Sequence, residues 1–579
     1  MRKNTISSAR VWHLLLESGY KVSERTRIAL LLSLTLLVYA NTLLNDFTMD
    51  DNLYILSNSS VTSGSIAKFF EPTKYNNVFR PVTFASFALN WLISGPKPFG
   101  YHLGNLLLHA AVVLLLYLVL LKLLEEERQG ALIAWGAALL FAVHPIHTEA
   151  VASVSARSEL LAAGFLLGAW LLHLNDRPIL ALISFVLALL SKESAVAFVP
   201  LVLVGDYACG KFKPVARYLT IGATTAVYLG LLWVVQGGRF GEKRVDFLDN
   251  PLAHLPATLR ILNALRIAWK YIGLQVFPSK LSCDYSYNAI TLHSNWRYGA
   301  IAAFGTLAVL VLWVWSISTG RRAWALAGGI YLSAFAVTAN IVLPSGTIMG
   351  ERLAYLPSAG FCLLLALMWM RFEKLNKRLL WVSFSVLLVL LSARTIARNL
   401  DWRNNLDLFS AAVRVVPGSA KMHSNLAIQY YLIDRIDDAD REVHAGLRIY
   451  PDMPDGISCA ALVAARRNHD AESRRLLEEA LSKTAKENPN YDFIAVNLAA
   501  VEMKLGDNDS AAKLLDETIA RSPKLSRAWS DRAAIRYQQG NFAAARADAA
   551  MALSLDLANR QAQNVLRLLS EPGGGLANP

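Results

Sequence analysis

Between residues 28 and about 395 the chain runs as long apolar stretches broken by short polar connections; beyond 396 it changes to segments rich in Arg, Asp, Glu and Ala. Apolar runs near 28–44, 103–124, 131–143, 159–174, 178–190, 195–205, 218–235, 298–317, 324–343, 355–370 and 379–393 predict about eleven membrane spans, several shorter than the roughly 17 to 25 residues that usually cross a bilayer. A further apolar stretch, 261–277, carries Arg266 and Lys270. It reads as an interfacial or re-entrant helix, because counting it as a span would invert the charged loops that follow. The expected fold is all-α, with a polytopic helical domain in the bilayer and a second domain in water.

The second domain repeats. Pro417 and Pro451 stand 34 residues apart, as do Pro489 and Pro523, with 38 residues between the two pairs. In "KLGDNDSAAKLL" and "QQGNFAAARADA", Gly506 and Gly540 are also 34 apart, each followed by small residues that suit a close helix crossing. This period resembles the tetratricopeptide repeat, and implies about four helix pairs stacked into a short right-handed solenoid whose concave face takes extended peptide. The expected division is a cytoplasmic N-terminal segment 1–27, a membrane domain 28–395, a junction 396–417, repeats 418–557 and a C-terminal tail 558–579.

Composition agrees with a membrane protein: 579 residues, 54% hydrophobic and 17% charged, with mean hydropathy +0.35. The net charge of +13 serves orientation rather than nucleic-acid binding. With a cytoplasmic N-terminus, eleven spans place Lys211, Lys213 and Arg217, then Arg321 and Arg322, then Arg371, Lys374, Lys377 and Arg378 inside. Segment 236–297 and the repeats then lie outside. Residues 1–27 show no cleavable signal, so the first run reads as a retained anchor. Four scattered cysteines, Cys209, Cys283, Cys362 and Cys459, make neither a disulfide framework nor a metal knuckle.

On this topology the polar motifs gather at the outer side: "TMDD" after the first run, "HPIHTEAVASVSARSE" at 144–159, "SKES" at 191–194 and "GTIMGERLAYLPS" at 346–358. Ionisable groups at membrane depth are costly and mark function. Taken singly, each has a structural reading: His144 and His147 as interfacial residues, Glu149 with Arg157 as an ion pair, Lys192 as a snorkelling anchor, Asp50 and Asp51 as a helix cap. Together they describe a site. Two adjacent carboxylates repel, which raises one pKa and suits a general base, and Lys192, Arg352, Arg157 and Arg80 supply cations for a phosphate. A zinc site at His144, His147 and Glu149 is disfavoured, since Pro145 breaks the helical spacing and a third ligand of good spacing is missing.

In order along the chain, "FTMDDNLYI", "FRPVTFASFALNWL", "YHLGNLLLHA", "HPIHTEAVASVSARSELLA", "SKESAVAFVP", "LDNPLA…LSCDYSYNAI" and "GERLAYLPSAGF" resemble the transmembrane and tetratricopeptide-repeat-containing (TMTC) O-mannosyltransferases, and "RNLDWRNNLDLFSAAVRVVP" is similar to their junction with the repeats. The resemblance implies a GT-C glycosyltransferase that moves mannose from a polyprenyl- or dolichyl-phosphate donor to Ser or Thr of a protein, without nucleotide sugar or metal cofactor and with inversion. Asp50 or Asp51 is then the expected base. Lys192 and Arg352, followed by Arg157 and Arg80, are the expected phosphate ligands, and His102, His109, His144, His147, Glu149, Glu193 and Glu351 are expected to shape the sugar pocket or fix its loops. Thr48 and Met49 stand where the family often has an aromatic, and four repeats are fewer than in animal members. The competing readings are transfer of another lipid-linked sugar or to a non-protein acceptor, and a non-catalytic membrane-anchored scaffold. The same reading puts the repeats on the periplasmic or lumenal side, with compact loops and a short array favouring a bacterial inner membrane.

Overall fold

In a computed structural model the chain is all-α. The structure describes residues 23–71, 78–237, 245–342, 344–372, 376–486 and 488–571; the expected cytoplasmic segment 1–27 lies outside them as far as residue 22. The chain divides into two compact units, Met1–Val416 and Pro417–Pro579.

The longer helices of the first unit are α1 Glu24–Tyr39, α2 Pro81–Ser94, α3 Pro98–Leu123, α4 Gly130–Val143, α5 Arg157–Leu174, α6 Pro178–Ser191, α7 Phe198–Cys209, α8 Val215–Val235, α9 Ala257–Val276, α10 Trp296–Ser318, α11 Arg322–Ala336, α12 Pro357–Arg371, α13 Lys377–Asp401 and α14 Asn405–Val415. Their starts are written in the sequence. Ser23 caps α1 by accepting from the Thr26 amide at 3.2 Å. Proline opens α2, α3, α6 and α12, where its missing N–H costs nothing.

Five helical segments among the described residues are long and apolar enough to cross a bilayer: Glu24–Leu44, Pro98–Leu123, Val215–Val235, Trp296–Ser318 and Arg378–Asp401. A sixth is the pair Gly130–Val143 and Pro145–Ala152, bent by 53° at His144. The number evident from length and composition is thus five or six, below the eleven expected. The expected runs at 178–190 and 355–370 form the shorter apolar helices α6 and α12, joined by α2, which was not among the expected spans. The expected apolar runs fall on helices, and several of these helices are shorter than the length that by itself marks a crossing.

Helices α3, α4, α5, α11 and α12 form the interior, with Tyr117, Leu140, Trp170, Leu326 and Cys362 all nearly sealed. Close approach depends on missing side chains. A Cβ at Gly360 would lie 2.5 Å from the Ala327 carbonyl, and one at Gly205 would lie 2.6 Å from the Trp170 indole nitrogen. Helix α10 instead turns Ile301, Phe304 and Leu312 outward, as a lipid-facing span would.

The second unit is four helix pairs: Ala420–Leu432 with Ile436–Ile449, Pro454–Arg466 with Asp470–Lys483, Pro489–Lys504 with Asn508–Arg521, and Ser526–Gln538 with Phe542–Leu555. These are tetratricopeptide-like repeats. Each intra-pair turn contains one left-handed residue, Asp434, Asn468, Gly506 or Gly540. Nothing lies within 4 Å of a Cβ built on Gly506 or Gly540, whose φ values are +84° and +76°. The glycines serve a backbone conformation, and among the small residues after them Ala511, Ala545 and Ala549 are buried. The expected tail contains a further helix, Arg560–Ser570, which packs Val565 and Leu569 against the last pair.

Candidate active site

The acidic pair splits into two unlike residues. Asp51 is fully buried. Its carboxylate accepts from the backbone amides of Thr48 at 3.0 Å, Val154 at 3.3 Å and Ser155 at 2.6 Å, joining the first loop to the 153–155 turn. Burial pushes its pKa up to about 6, against the pull of those hydrogen bonds. The leading cause is therefore desolvation, not the expected repulsion from its neighbour. Asp50 is exposed.

The backbone sets this difference. Asp46 N–H donates to the Arg403 carbonyl and Met49 N–H to the Asn405 side chain, both at 2.8 Å, which holds the loop against the segment after α13. Met49 takes a left-handed φ of +50°, uncommon for a residue with a side chain. The chain thereby turns Asp51 inward and leaves Asp50 outside.

Three of the four expected cations form a connected group with carboxylates. Arg352, on the turn before α12, pairs with Glu149 by a short contact, and its own amide donates to the same carboxylate at 2.8 Å. Glu149 is sealed, whereas a third of the Arg352 side chain is exposed. The Glu149 charge holds the guanidinium above its ordinary pKa, and Asp50 lies near enough to add to that effect. Lys192, in the extended link after α6, is paired with Glu159 at close contact. Burial lowers its pKa, Glu159 opposes this, and the charges of Arg80 and Arg352 reinforce it. Arg80 grips Glu193 through two nitrogens at 2.7 and 3.1 Å and reaches Ser158 at 3.4 Å.

Arg157 is not available as a phosphate ligand. It is 2% exposed. Its guanidinium donates to Asn105 Oδ1 at 2.7 Å, to the Tyr101 carbonyl at 2.8 Å and to Asn90, and it stacks 4.8 Å from the Phe87 ring centroid. Asn105 in turn donates to the Val151 and Ser153 carbonyls. Arg157 and Asn105 thus fasten the turn whose amides hold Asp51.

The histidines are also interior ties. His144 meets the Gln275 carbonyl at 2.8 Å and accepts from the Ile146 amide. His147 spans the Phe141 carbonyl and Ser358 Oγ, at 2.8 and 2.7 Å. His109 contacts Tyr355 OH at 2.7 Å, and His102 is buried beside the Asn45–Asp46 backbone. Glu351 faces away from its neighbour Arg352: it accepts from Tyr285 OH at 2.8 Å and lies 3.7 Å from Arg398. Burial raises its carboxyl to about 7, while Arg398 pulls the other way. Among the described residues no three His, Cys, Asp or Glu converge as metal ligands.

Sequence reasoning missed Glu159, which lies one helical turn into the "SARSE" motif and becomes the counter-charge of Lys192. It also missed Asn105, an amide inside an apolar helix. A polar residue that interrupts a hydrophobic run was the signal available for Asn105.

No protein-family model matches the chain. It is similar to the protein O-mannosyl-transferase F38B6.6 of Caenorhabditis elegans, 31% identical over 415 residues that cover 69% of this chain and 59% of the relative. The protein O-mannosyl-transferase TMTC3 of Mus musculus is 27% identical over 601 residues, covering 92% and 64%, and the Homo sapiens protein of the same name 28% over 600, again 92% and 64%. The chain spans about three fifths of the length of these curated relatives. Among solved structures, MamA aligns with 29% of this chain at 15% identity and a TM-score of 0.23, and the tetratricopeptide protein YrrB with 34% at 14% and 0.23. Overlaps that slight carry no argument.

Proposed function

We propose that this chain, a homologue of the TMTC protein O-mannosyltransferases over most of its length, transfers mannose from a polyprenyl- or dolichyl-phosphate donor to Ser or Thr of a protein, with inversion and with a GT-C arrangement of its helices. The observation that carries the reading is Asp50: an exposed carboxylate whose charge acts on Arg352, itself in a charge group that also includes Lys192 and Arg80. The acceptor hydroxyl attacks the anomeric carbon, Asp50 takes its proton, and the bond to the donor phosphate breaks with its electron pair passing to phosphate oxygen. Arg352, Lys192 and Arg80 receive that charge. Asp51, Arg157 and Asn105 hold the loop that presents Asp50, and the histidines with Glu351 brace the helices behind it.

In this reading the shorter apolar helices complete a bundle of about eleven crossings, with the N-terminus cytoplasmic and both Asp50 and the repeats periplasmic or lumenal, a bacterial inner membrane being favoured. Residues 28–395 form the transferase domain, 396–417 the junction and 418–557 the acceptor-binding repeats. The chemistry is assigned to amino-acid side chains without a cofactor. The test is incubation of detergent-purified protein with a panel of polyprenyl-phosphate sugars and a Ser/Thr peptide library. Turnover of the mannosyl donor alone, lost in Asp50→Asn, is expected; preference for another sugar overturns the donor assignment.

A further inference from the structure

The stretch 261–277 has a role that the transferase reading does not use. Helix α9 packs against α10 through glycines: a Cβ at Gly299 would lie 2.4 Å from Leu262 Cβ, and one at Gly305 would lie 2.8 Å from the Trp269 ring. Trp269 is pinned there, donating to the Ala302 carbonyl at 3.0 Å and to Thr306 Oγ1 at 3.2 Å. Beside this seam runs an open groove of about 910 Å³, lined by Arg266, Trp269, Lys270, Thr291, Tyr298 and Ile301 among others.

Arg266 and Lys270 are one helical turn apart and face the groove together. Arg266 donates to Asn263 Oδ1 at 3.0 Å, and the Lys270 ammonium sits 5.3 Å from the Tyr285 ring centroid. Among the described residues neither has a carboxylate ion-pair partner, unlike Arg80, Lys192 and Arg352. Burial and then the neighbouring Arg266 lower the Lys270 pKa, and among the described residues the groove lining contains no carboxylate to balance the two like charges. The other wall belongs to α10, a candidate membrane span whose Ile301 and Phe304 are 78% and 75% exposed. Tyr298 and Trp296 stand at its first turn, with Tyr298 stacked on His293 at 4.4 Å. Aromatic side chains at the end of a span mark the head-group level, and basic pockets there bind anionic head groups.

We propose that the α9–α10 groove is a site for an anionic phospholipid, with the phosphodiester between Arg266 and Lys270 and the acyl chains along Ile301 and Phe304. It is separate from the Arg352 group: the adjacent face of α9 carries Tyr271, which donates to the Gly350 carbonyl at 3.0 Å and leaves the two basic side chains on the groove side. The inference stands whether or not the chain is a transferase.

The test is native mass spectrometry of the full chain in detergent, titrated with dioctanoyl phosphatidylglycerol, dioctanoyl phosphatidylcholine and inorganic phosphate. A saturable phosphatidylglycerol adduct is expected, weakened roughly thirtyfold in R266Q/K270Q. Ile301→Ser is expected to weaken the same adduct several-fold without changing phosphate binding. Thermal unfolding checks that both proteins are folded, and if the double variant is not, Ile301→Ser carries the test. Equal affinity for phosphatidylcholine, unchanged phosphatidylglycerol binding in either folded variant, or full competition by inorganic phosphate would overturn the lipid site.

Discussion

Asp50→Asn and Asp51→Asn, differing by one position, are expected to fail in opposite ways. Asp50 is exposed, so the amide leaves thermal stability near wild type while removing the base; transfer is expected to fall by about a hundredfold or more. Asp51 is sealed among three backbone amides, and its change is read through pH. Its pKa is about 6 in the folded chain against 3.8 ordinarily. The folded state thus binds the proton more tightly than the unfolded state, and Asp51 makes stability fall as pH rises from about 4 to 6. The difference of about two pKa units corresponds to about 3 kcal/mol over that window. An asparagine cannot titrate. The gap between Asp51→Asn and wild type is therefore expected to shift in the variant's favour by about 3 kcal/mol between roughly pH 4 and pH 7. A constant offset from lost charged hydrogen bonds, about 1.5 to 3 kcal/mol, is superimposed on it. Thermal unfolding in detergent at a series of pH values measures this, alongside donor turnover at neutral pH. Parallel stability curves, or a wild-type rate in Asp50→Asn, would refute the division of labour.

Arg352→Gln is expected to abolish donor turnover and to cost about 2 to 3 kcal/mol by leaving sealed Glu149 unpaired; adding Glu149→Gln is expected to restore thermal stability but not turnover. Arg157→Lys, which loses the fork to Asn105, Asn90 and Tyr101, is expected to lower both the unfolding temperature and kcat while leaving donor KM within about twofold, as measured on a folded preparation. Glu193→Gln is expected to tighten donor binding by several-fold at little cost in stability, because it frees Arg80 from a half-exposed pair; an unchanged donor KM would show that Arg80 does not touch phosphate. Deleting residues 415 to 579 is expected to impair transfer to a protein acceptor far more than donor binding, measured in parallel on the truncated chain, and unchanged transfer would end the delivery role of the repeats.

What the sequence made legible follows from where the physics is local. Periodicity in the repeats is a short-range property, so the 34-residue spacing and the left-handed Gly506 and Gly540 could both be found by counting, although only the backbone explains the glycines. The polar motifs between the apolar runs were also legible, because charge in an apolar chain stands out. Pairing was not. Nothing local tells Arg157 from Arg352, since both stand in a polar motif near a helix start. What separates them is that Asn105 and Asn90, some fifty and seventy residues earlier, meet the first, while the second retains a third of its surface. A bend was hidden for a related reason: residue spacing does not reveal the 53° between Gly130–Val143 and Pro145–Ala152.

The charge balance of the group bears on the proposed mechanism. Arg80, Lys192 and Arg352 already face Glu193, Glu159 and Glu149, and Asp50 adds a fourth carboxylate. These cations are not an empty cradle, and an arriving phosphate diester meets a site with no surplus of positive charge. The proposed reaction resolves this. When Asp50 accepts the hydroxyl proton it loses its charge, and at the same moment the departing phosphate gains one. The total is unchanged, but the negative charge moves from Asp50 towards phosphate oxygen. Arg352, which feels Asp50 in the resting site, loses that competitor as the phosphate comes to need it. An interaction that strengthens only as the bond breaks lowers the barrier without holding the substrate more tightly beforehand. The paired carboxylates are then what keeps Arg352 and Lys192 fixed and charged at their burial, and Asp50 is the one acid of the four whose charge the chemistry spends.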